Sequence, residues 1–461
     1  MRNFVFVTVL LLMCGCSVGP DYVRPDVKAP DQWNVEYKAA ADLANTQWWK
    51  LFGDKVLDDL IETAVRGNLD LKSATAKVDQ YLGVLDTTRS QYFPQISAGF
   101  NPGATHSGSS TTQSYQATVN ATWELDLWGK IRRSSEAAQA QIVGSEAGRR
   151  AVIMSVVSNV ASGYITLRGM DRQLEIARDT EKAYTESLKL FQLRFKHGAI
   201  SGLELAQAES NYESARQAIP SYESLVRQQE NLISLLLGRA PGPIPRGKTI
   251  DELVPPGIPA GLPSELLERR PDIIQAEQNL IAANAEIGVA KAAYFPKISL
   301  TGALGVSSGD ISKLFVPGAG IWSAGAQLAQ PLFNFGQTAG QVKQAESQQQ
   351  QAMYQYQQTI LTAFREVEDA LIKTTKGREQ FEAQQRQVAS LGDYDRLARL
   401  QFEAGTSSYL QVLDADRSLF TGKLDKTKTH YDLLVSLISV YKAMGGGWVN
   451  EADKLQEPQK K

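Results

Sequence analysis

From Tyr115 to Leu127 the chain alternates without a break. Its odd positions are Tyr, Ala, Val, Ala, Trp, Leu and Leu, and its even positions are Gln, Thr, Asn, Thr, Glu and Asp. Successive side chains of a strand point to opposite faces, so this segment offers one face to an apolar medium and the other to water. Ile96, Ala98 and Phe100 alternate in the same way with Gln95, Ser97 and Gly99, as do Ile298, Leu300, Leu304 and Val306 with Lys297, Ser299 and Thr301. A fourth set is Trp322, Ala324, Ala326 and Leu328 against Ser323, Gly325 and Gln327. The pattern predicts strands at about 94–101, 115–127, 296–307 and 320–332, with a Gly-, Ser- and Thr-rich loop over 101–114.

Elsewhere the apolar period lengthens. Ile153, Val156, Val160, Tyr164, Leu167, Leu174 and Ala177 step by threes and fours, with Asp171 as one interruption. That is the seam of a long coiled helix, and nothing strong breaks it from about 129 to 196, ~100 Å at 1.5 Å per residue. Met353, Ile360, Phe364, Val367 and Leu371 repeat the rhythm from about 336 to 404. Each long helix is followed by a glycine turn, at Gly198 or Gly405, and by a shorter returning helix. A further helix is predicted before each strand pair, over 54–92 and 263–294.

The chain is therefore written twice. Q-Y-F-P-Q-I-S from Gln91 returns as A-Y-F-P-K-I-S from Ala293, and R-F-K-H-G-A-I-S-G-L from Arg194 returns as Q-F-E-A-G-T-S-S-Y-L from Gln401. A period of some two hundred residues is a duplicated module, not a solenoid unit. Residues 54–238 form repeat 1 and 263–446 form repeat 2. A Pro- and Gly-rich linker, 239–262, joins them, and 447–461 is a tail.

Alternating strands suit a soluble sheet lying on a core or a barrel in lipid. Four strands with open edges cannot sit in lipid, because each unpaired backbone group there costs several kcal/mol. If the medium is lipid, the chains must pool their strands. Two copies give eight strands and a filled interior, whereas three give twelve and a lumen. The fold expected is α+β: a trimeric, twelve-stranded transmembrane β-barrel, four strands per chain, continued by a long α-helical barrel.

The N-terminus favours the membrane. Arg2 and the apolar run Phe4–Met13 make a secretory leader, too short to span a bilayer as a helix. It ends in M-C-G-C, which resembles a bacterial lipoprotein processing site, so residues 1–15 are read as signal peptide and Cys16 as the lipidated first residue of an extended segment, 16–53. Ser17 after that cysteine resembles outer-membrane sorting in Gram-negative cells. The 461 residues carry a net charge of −2 with both signs well mixed, which gives no basic face for nucleic acid. Three scattered histidines offer no metal-ligand spacing, and no catalytic residues or enzymatic activity are expected.

Four segments, in order, resemble the outer-membrane efflux protein family of the TolC, OprM and NodT type. They are C-S-V-G-P-D-Y-V-R-P from Cys16, W-W-K-L-F-G-D from Trp48, L-P-S-E-L-L-E-R-R-P-D-I from Leu262 and Y-L-Q-V-L-D-A-D-R-S-L from Tyr409. The lipidated start points to the OprM and NodT branch. The resemblance implies a homotrimer in the outer membrane with its helical barrel in the periplasm. It also implies a periplasmic adaptor and an inner-membrane pump, of RND type, that supplies the energy. Membership makes the chain a passive channel for drugs, metals or other small molecules, with no cofactor beyond the covalent lipid. A type I protein-secretion conduit is the alternative.

Such a channel must be closed at rest, and the resemblance puts the periplasmic gate after Gly405. Leu410, Asp414 and Arg417 fall on one helix face there, and threefold symmetry would gather each into a ring. Leu203 and Gln207 stand at the equivalent positions of the first copy, so the mouth would be pseudo-sixfold. TolC itself has a second acidic residue where Gln411 stands and an arginine where Ser407 stands. A weaker cation-binding ring and a different latch are therefore expected.

Overall fold

The computed structural model describes residues 17–26, 47–257 and 266–445. The leader, Cys16, residues 258–262 of the linker and the tail 447–461 lie outside these. In the first copy, α1 (Lys55–Gly67) and α2 (Leu69–Ser90) precede the hairpin β1 (Gln95–Ser107) and β2 (Ser110–Glu124), and α3 (Lys130–Lys196) and α4 (Gly202–Leu236) follow. The second copy runs α5 (Leu266–Arg269), α6 (Pro271–Ala292), β3 (Lys297–Ser308), β4 (Gly320–Ala329), α7 (Gln337–Glu403) and α8 (Tyr409–Ala443). Helices α3 and α7 have 67 residues each, and α4 and α8 have 35 each.

Five local features differ from the sequence reading, two of them simple: the helix predicted over 263–294 is interrupted at Arg270, ahead of Pro271, and β2 ends at Glu124, short of 127. The 54–92 helix is broken at Asn68, whose side chain accepts from Leu71 N at 3.0 Å and donates to Leu236 O at 2.9 Å. Here a capping side chain outweighs an unbroken apolar period. The loop placed at 101–114 is instead strand on both sides of a tight turn at 108–109, where Gly108 has φ of +60°. Ser, Thr and Gly suggest a loop by composition, but cross-strand pairing from Gln95↔Thr122 to Ser107↔Ser110 holds them extended. Strand β4 ends at Ala329, short of the expected 332 and of Pro331.

The described residues form two compact units. One combines the described part of Met1–Val27 with Thr75–Ala147 and Ile273–Thr359. Its antiparallel sheet has the order β1-β2-β3-β4, so the central β2–β3 pairing joins the two copies. The register puts Ala98 against Val119, Val119 against Leu304 and Leu304 against Trp322. Every apolar set thus shares one face. No described residue of the chain buries that face: Ile96, Leu304, Trp322 and Leu328 are 65% to 79% exposed. A soluble sheet lying on its own core would hide them. Pro102, which has no N–H to give, sits in β1, an edge strand of the single chain. Beside the sheet, Ala137 and Ala140 of α3 pack on Ala282 and Ala285 of α6, small residues that let backbones approach closely.

The other unit contains Lys28–Ala74, Gly148–Asp272 and Ile360–Lys461, of which the described parts are considered. The α3 seam from Ile153 to Ala177 is buried throughout, as are Ile360, Phe364, Val367 and Leu371 of α7. Asp171, the interruption, is held by Arg168 at 2.6 Å and Arg246 at 3.0 Å. Among the described residues, α3 alone carries a window apolar enough to cross a membrane by length and composition, and 61% of that window is buried in the protein.

Candidate channel aperture

The two hairpin turns are built alike. Gly198 and Gly405 each have φ of +71°, a conformation L side chains rarely adopt. After each, the chain closes the helix with a long backbone bond, Ala199 N to Arg194 O at 2.8 Å and Thr406 N to Gln401 O at 2.9 Å. With Gly198 N to Phe195 O at 2.9 Å and Gly405 N to Phe402 O at 3.0 Å, these bonds make each turn a Schellman end. Helix α4 then starts with a capping box, Ser201 Oγ accepting from Glu204 N while Glu204 accepts from Ser201 N. In the second copy Gln411 stands at the place of Glu204, and Ser408 makes no side-chain cap bond.

An apolar cluster joins the four helices near these turns. Phe191 of α3, Ala208 of α4, Ala398 of α7 and Tyr409, Val412 and Leu413 of α8 are all buried in it. The Tyr409 ring lies 3.9 Å from that of Phe191 and 5.2 Å from that of Phe402. With these α8 positions turned inward, Leu410, Asp414 and Arg417 are left exposed.

The structure brings most of the sequence-predicted gate residues together. Gln207, Ser210 and Asn211 of α4 face Leu410, Asp414 and Arg417 of α8 across a groove of about 180 Å³. Gln207 and Ser210 are the first-copy equivalents of Asp414 and Arg417, so equivalent positions of the two copies meet. Leu203, 68% exposed, does not line the groove. Arg417 donates to Asp414 Oδ1 of its own helix at 3.2 Å, and Tyr394 OH donates to Asp414 Oδ2 at 3.3 Å. An exposed pair of this kind contributes at most about 1 kcal/mol, so it leaves Asp414 free to change partners.

The sequence reading missed a second acidic group behind the first. Asp416 points the opposite way from Asp414 and is buried. Arg399 of α7 donates to Asp416 and also to Asp395, the latter at 3.0 Å. Burial, together with the hydrogen bond that the protonated group donates to the Asp395 carboxylate, pushes the Asp416 carboxyl up to about 7. A polar cavity of about 370 Å³ adjoins it, bounded by Arg172, Asp179, Asp395, Arg399 and Lys423 among others. The only sequence signal was Asp416 falling beside Val412 and Leu413 on the apolar side of the helix, where a carboxylate requires a partner.

The expectation of no catalytic residues excludes phosphate-binding-loop and nucleophile-elbow motifs, yet two stretches of the chain have their spacing. G-P-I-P-R-G-K-T, Gly242 to Thr249, has the spacing of a phosphate-binding loop. It follows helix α4 instead of a strand, and its N–H donors are spent internally: Ile244 N on Glu230, Gly247 N on Tyr164 and Lys248 N on Asp54. G-V-S-S-G, Gly305 to Gly309, has nucleophile-elbow spacing. Its serine, Ser307, lies in regular strand opposite Gln116. In both cases the spacing is present without the turn that gives it chemistry.

A sheet with an uncovered apolar face, in a chain that also has two helices of 67 residues, narrows the identity sharply. The outer membrane efflux protein profile matches residues 60–239 and 262–446. The chain belongs to that family, and its place is the outer membrane. It is 37% identical over 449 residues to the cation efflux system protein CusC of Escherichia coli, covering 95% of this chain and 97% of that one. The solved CusC structure superposes with a TM-score of 0.84 over 94% of this chain and 100% of its own. The probable outer membrane lipoprotein SilC of Salmonella typhimurium is 36% identical, covering 96% of this chain and 98% of its own. The toluene efflux pump outer membrane protein TtgC of Pseudomonas putida is 35% identical, covering 97% and 96%.

Two of the motifs that carried the resemblance act as structural joints in this efflux protein. In W-W-K-L-F-G-D, Trp48 stacks on Tyr441 with centroids 5.3 Å apart, and Asp54 caps α1 through Val56 N while accepting from Tyr164 at 2.7 Å. In R-R-P-D-I, buried Arg270 binds Asp272, Glu366 and the Ala443 carbonyl.

Proposed function

We propose that three copies of this chain pool their strands into a twelve-stranded barrel and their helices into a periplasmic tube, the passive exit duct of a tripartite efflux system. The observation that carries this reading is the four-stranded sheet with its apolar face exposed and its edges, β1 and β4, unpaired. An inner-membrane pump of RND type and a periplasmic adaptor complete the path and drive it. The cargo is small: CusC is named for cations and TtgC for toluene, which supports small ions or organic molecules sorted by the pump. A lipid on Cys16 tethers each chain.

The barrel makes a face-specific prediction. Leu304→Lys places a charge toward lipid and is expected to cost about 2–4 kcal/mol per chain at the bilayer centre. Thr301→Lys, on the opposite face of the same strand, is expected to be tolerated. Heat-stable trimer recovered from outer membranes measures both, and equal recovery of the two variants would remove the barrel.

The aperture is assigned to Leu410 as an apolar constriction and to Asp414 as a carboxylate ring latched by Arg417, with Leu203 and Gln207 completing the mouth. Leu410→Ala or Asp414→Ala is expected to raise single-channel conductance in planar bilayers. Unchanged conductance in both would take these residues out of the gate.

A further inference from the structure

The polar cavity of about 370 Å³ beside Asp416 carries more charge than its own ion pairs use. Its walls come from α3, α7 and α8, with Asp251 of the linker among them. At the end nearer the turns, Arg399 is held by Asp395 and Asp416. At the other, Arg172 donates to Glu175 at 2.7 Å and lies 3.5 Å from Asp251, whose second oxygen is 3.7 Å from His430 Nδ1. Both ends are thus closed on themselves.

Two further cations have no such partner. Lys423 and Lys426 of α8 both line the cavity, and among the described residues neither ammonium makes a hydrogen bond or an ion pair. Asp251 acts on Lys426 without touching it. The sequence denies both lysines an acid on their own helix. Positions three and four away are Leu419, Phe420, Lys426 and Thr427 for Lys423, and Gly422, Lys423, Thr429 and His430 for Lys426. Other lysines of these helices do find an acid at that spacing: Lys428 reaches Asp432 at 2.7 Å, and Lys376 reaches Glu379 at 2.9 Å. The two free lysines are instead neighbours of each other, a like-charge pair that costs stability until something anionic lies between them.

The rest of the lining limits what that anion is. Asp179 of α3 faces the same space and makes no ion pair among the described residues, acting on Arg172 without touching it. Two free ammoniums against one free carboxylate leave one positive charge over, which a single negative charge balances. Ile176, Val388, Leu419 and Phe420 supply an apolar wall from three helices. An apolar wall with a few placed charges, in roughly 300–1,000 Å³, is how small-molecule sites are commonly built.

We propose that this cavity binds a small organic monoanion, a carboxylate with a compact apolar body, its oxygens between Lys423 and Lys426 and its body against Phe420. Inorganic phosphate, with up to two charges and no apolar part, satisfies neither half of the site. Seated there, the anion ties α8 to walls from α3 and α7 beside the aperture, and so holds the resting arrangement of these helices. That effect on the channel rests on the reading of Leu410 and Asp414 as its gate; the binding does not.

Benzoate is the probe, set against inorganic phosphate and against benzylamine, which has the same body and the opposite charge. Isothermal titration of the full-length protein in detergent is expected to show one benzoate per chain, with a Kd near or below about 1 mM. Benzylamine and phosphate should show no saturable binding. Lys423→Gln combined with Lys426→Gln should weaken benzoate at least about tenfold. The same pair should leave the unfolding midpoint of the ligand-free protein unchanged or higher, because only a repulsion is removed. In planar bilayers benzoate should lower the open probability of the parent and not that of the double variant. Absence of saturable benzoate binding, or equal affinity in the double variant, overturns the site. A lower midpoint for the ligand-free variant overturns it too, since the lysines would then already have partners. Benzoate bound at full strength with the open probability unmoved overturns the effect on the channel alone.

Discussion

Replacing Arg270 by alanine is expected to destabilise the helical unit by about 3 kcal/mol, the loss of a buried guanidinium with its charge-assisted hydrogen bonds. Its guanidinium is 4% exposed and makes four bonds: two to Asp272, one to Glu366 of α7 and one to the Ala443 carbonyl that ends α8. One planar fork thus ties the start of α6 to two other helices. Removing it takes one charged donor from Asp272, Glu366 and the Ala443 carbonyl at once. Lysine cannot restore the bidentate bond to Asp272, so Arg270→Lys should recover less than half of the loss. Thermal unfolding of the purified protein followed by circular dichroism should show a midpoint lower by on the order of 5–10 °C for the alanine variant. A shift within error would mean that the three helices are held by packing alone.

That joint also shows where sequence reading stops. Strict alternation over Tyr115–Leu127 identified strands and their faces, because a period of two leaves no freedom in which side chains go together. The long helices were equally legible, since a seam sustained from Ile153 to Ala177 admits no other element. Less visible was anything decided by a residue far along the chain. Asn68 breaks a helix through a carbonyl at Leu236, and the G-P-I-P-R-G-K-T loop is emptied of phosphate-binding donors by Asp54, Tyr164 and Glu230. At the aperture, helical spacing put Leu410, Asp414 and Arg417 on one face correctly. It could not show that Arg417 pairs within its own helix, that Tyr394 joins Asp414, or that Asp416 meets Arg399 behind them.

Asp416 gives the other large effect, a stability that falls as the medium becomes more alkaline. Its carboxyl is raised from 3.8 to about 7, first by burial and then by the proton-bearing contact with Asp395, against the opposing pull of Arg399. Tyr184 of α3 and Tyr409 of α8 face the same cluster, each with its hydroxyl pushed upward by burial, so neither ionises in the relevant range. The folded chain therefore holds a proton between about pH 4 and 7 that the unfolded chain has released. Stability is full below about pH 4, declines up to about pH 7 and is flat beyond, a total on the order of 4 kcal/mol at 1.36 kcal/mol per pH unit. Asp416→Asn keeps the hydrogen bonds and removes the titration. The variant should be nearly insensitive to pH across this window and more stable than the parent at pH 8. Unfolding midpoints of both proteins at pH 5 and pH 8 decide the point, and a parent whose midpoint does not drop relative to the variant would refute it. Because Asp416 sits two residues from Asp414 on the same helix, acid should tighten α8 against α7 beside the aperture, and alkali should loosen it. The parent should accordingly open more often at pH 8 than at pH 5 in planar bilayers, and Asp416→Asn should lose that difference while keeping the conductance of each opening.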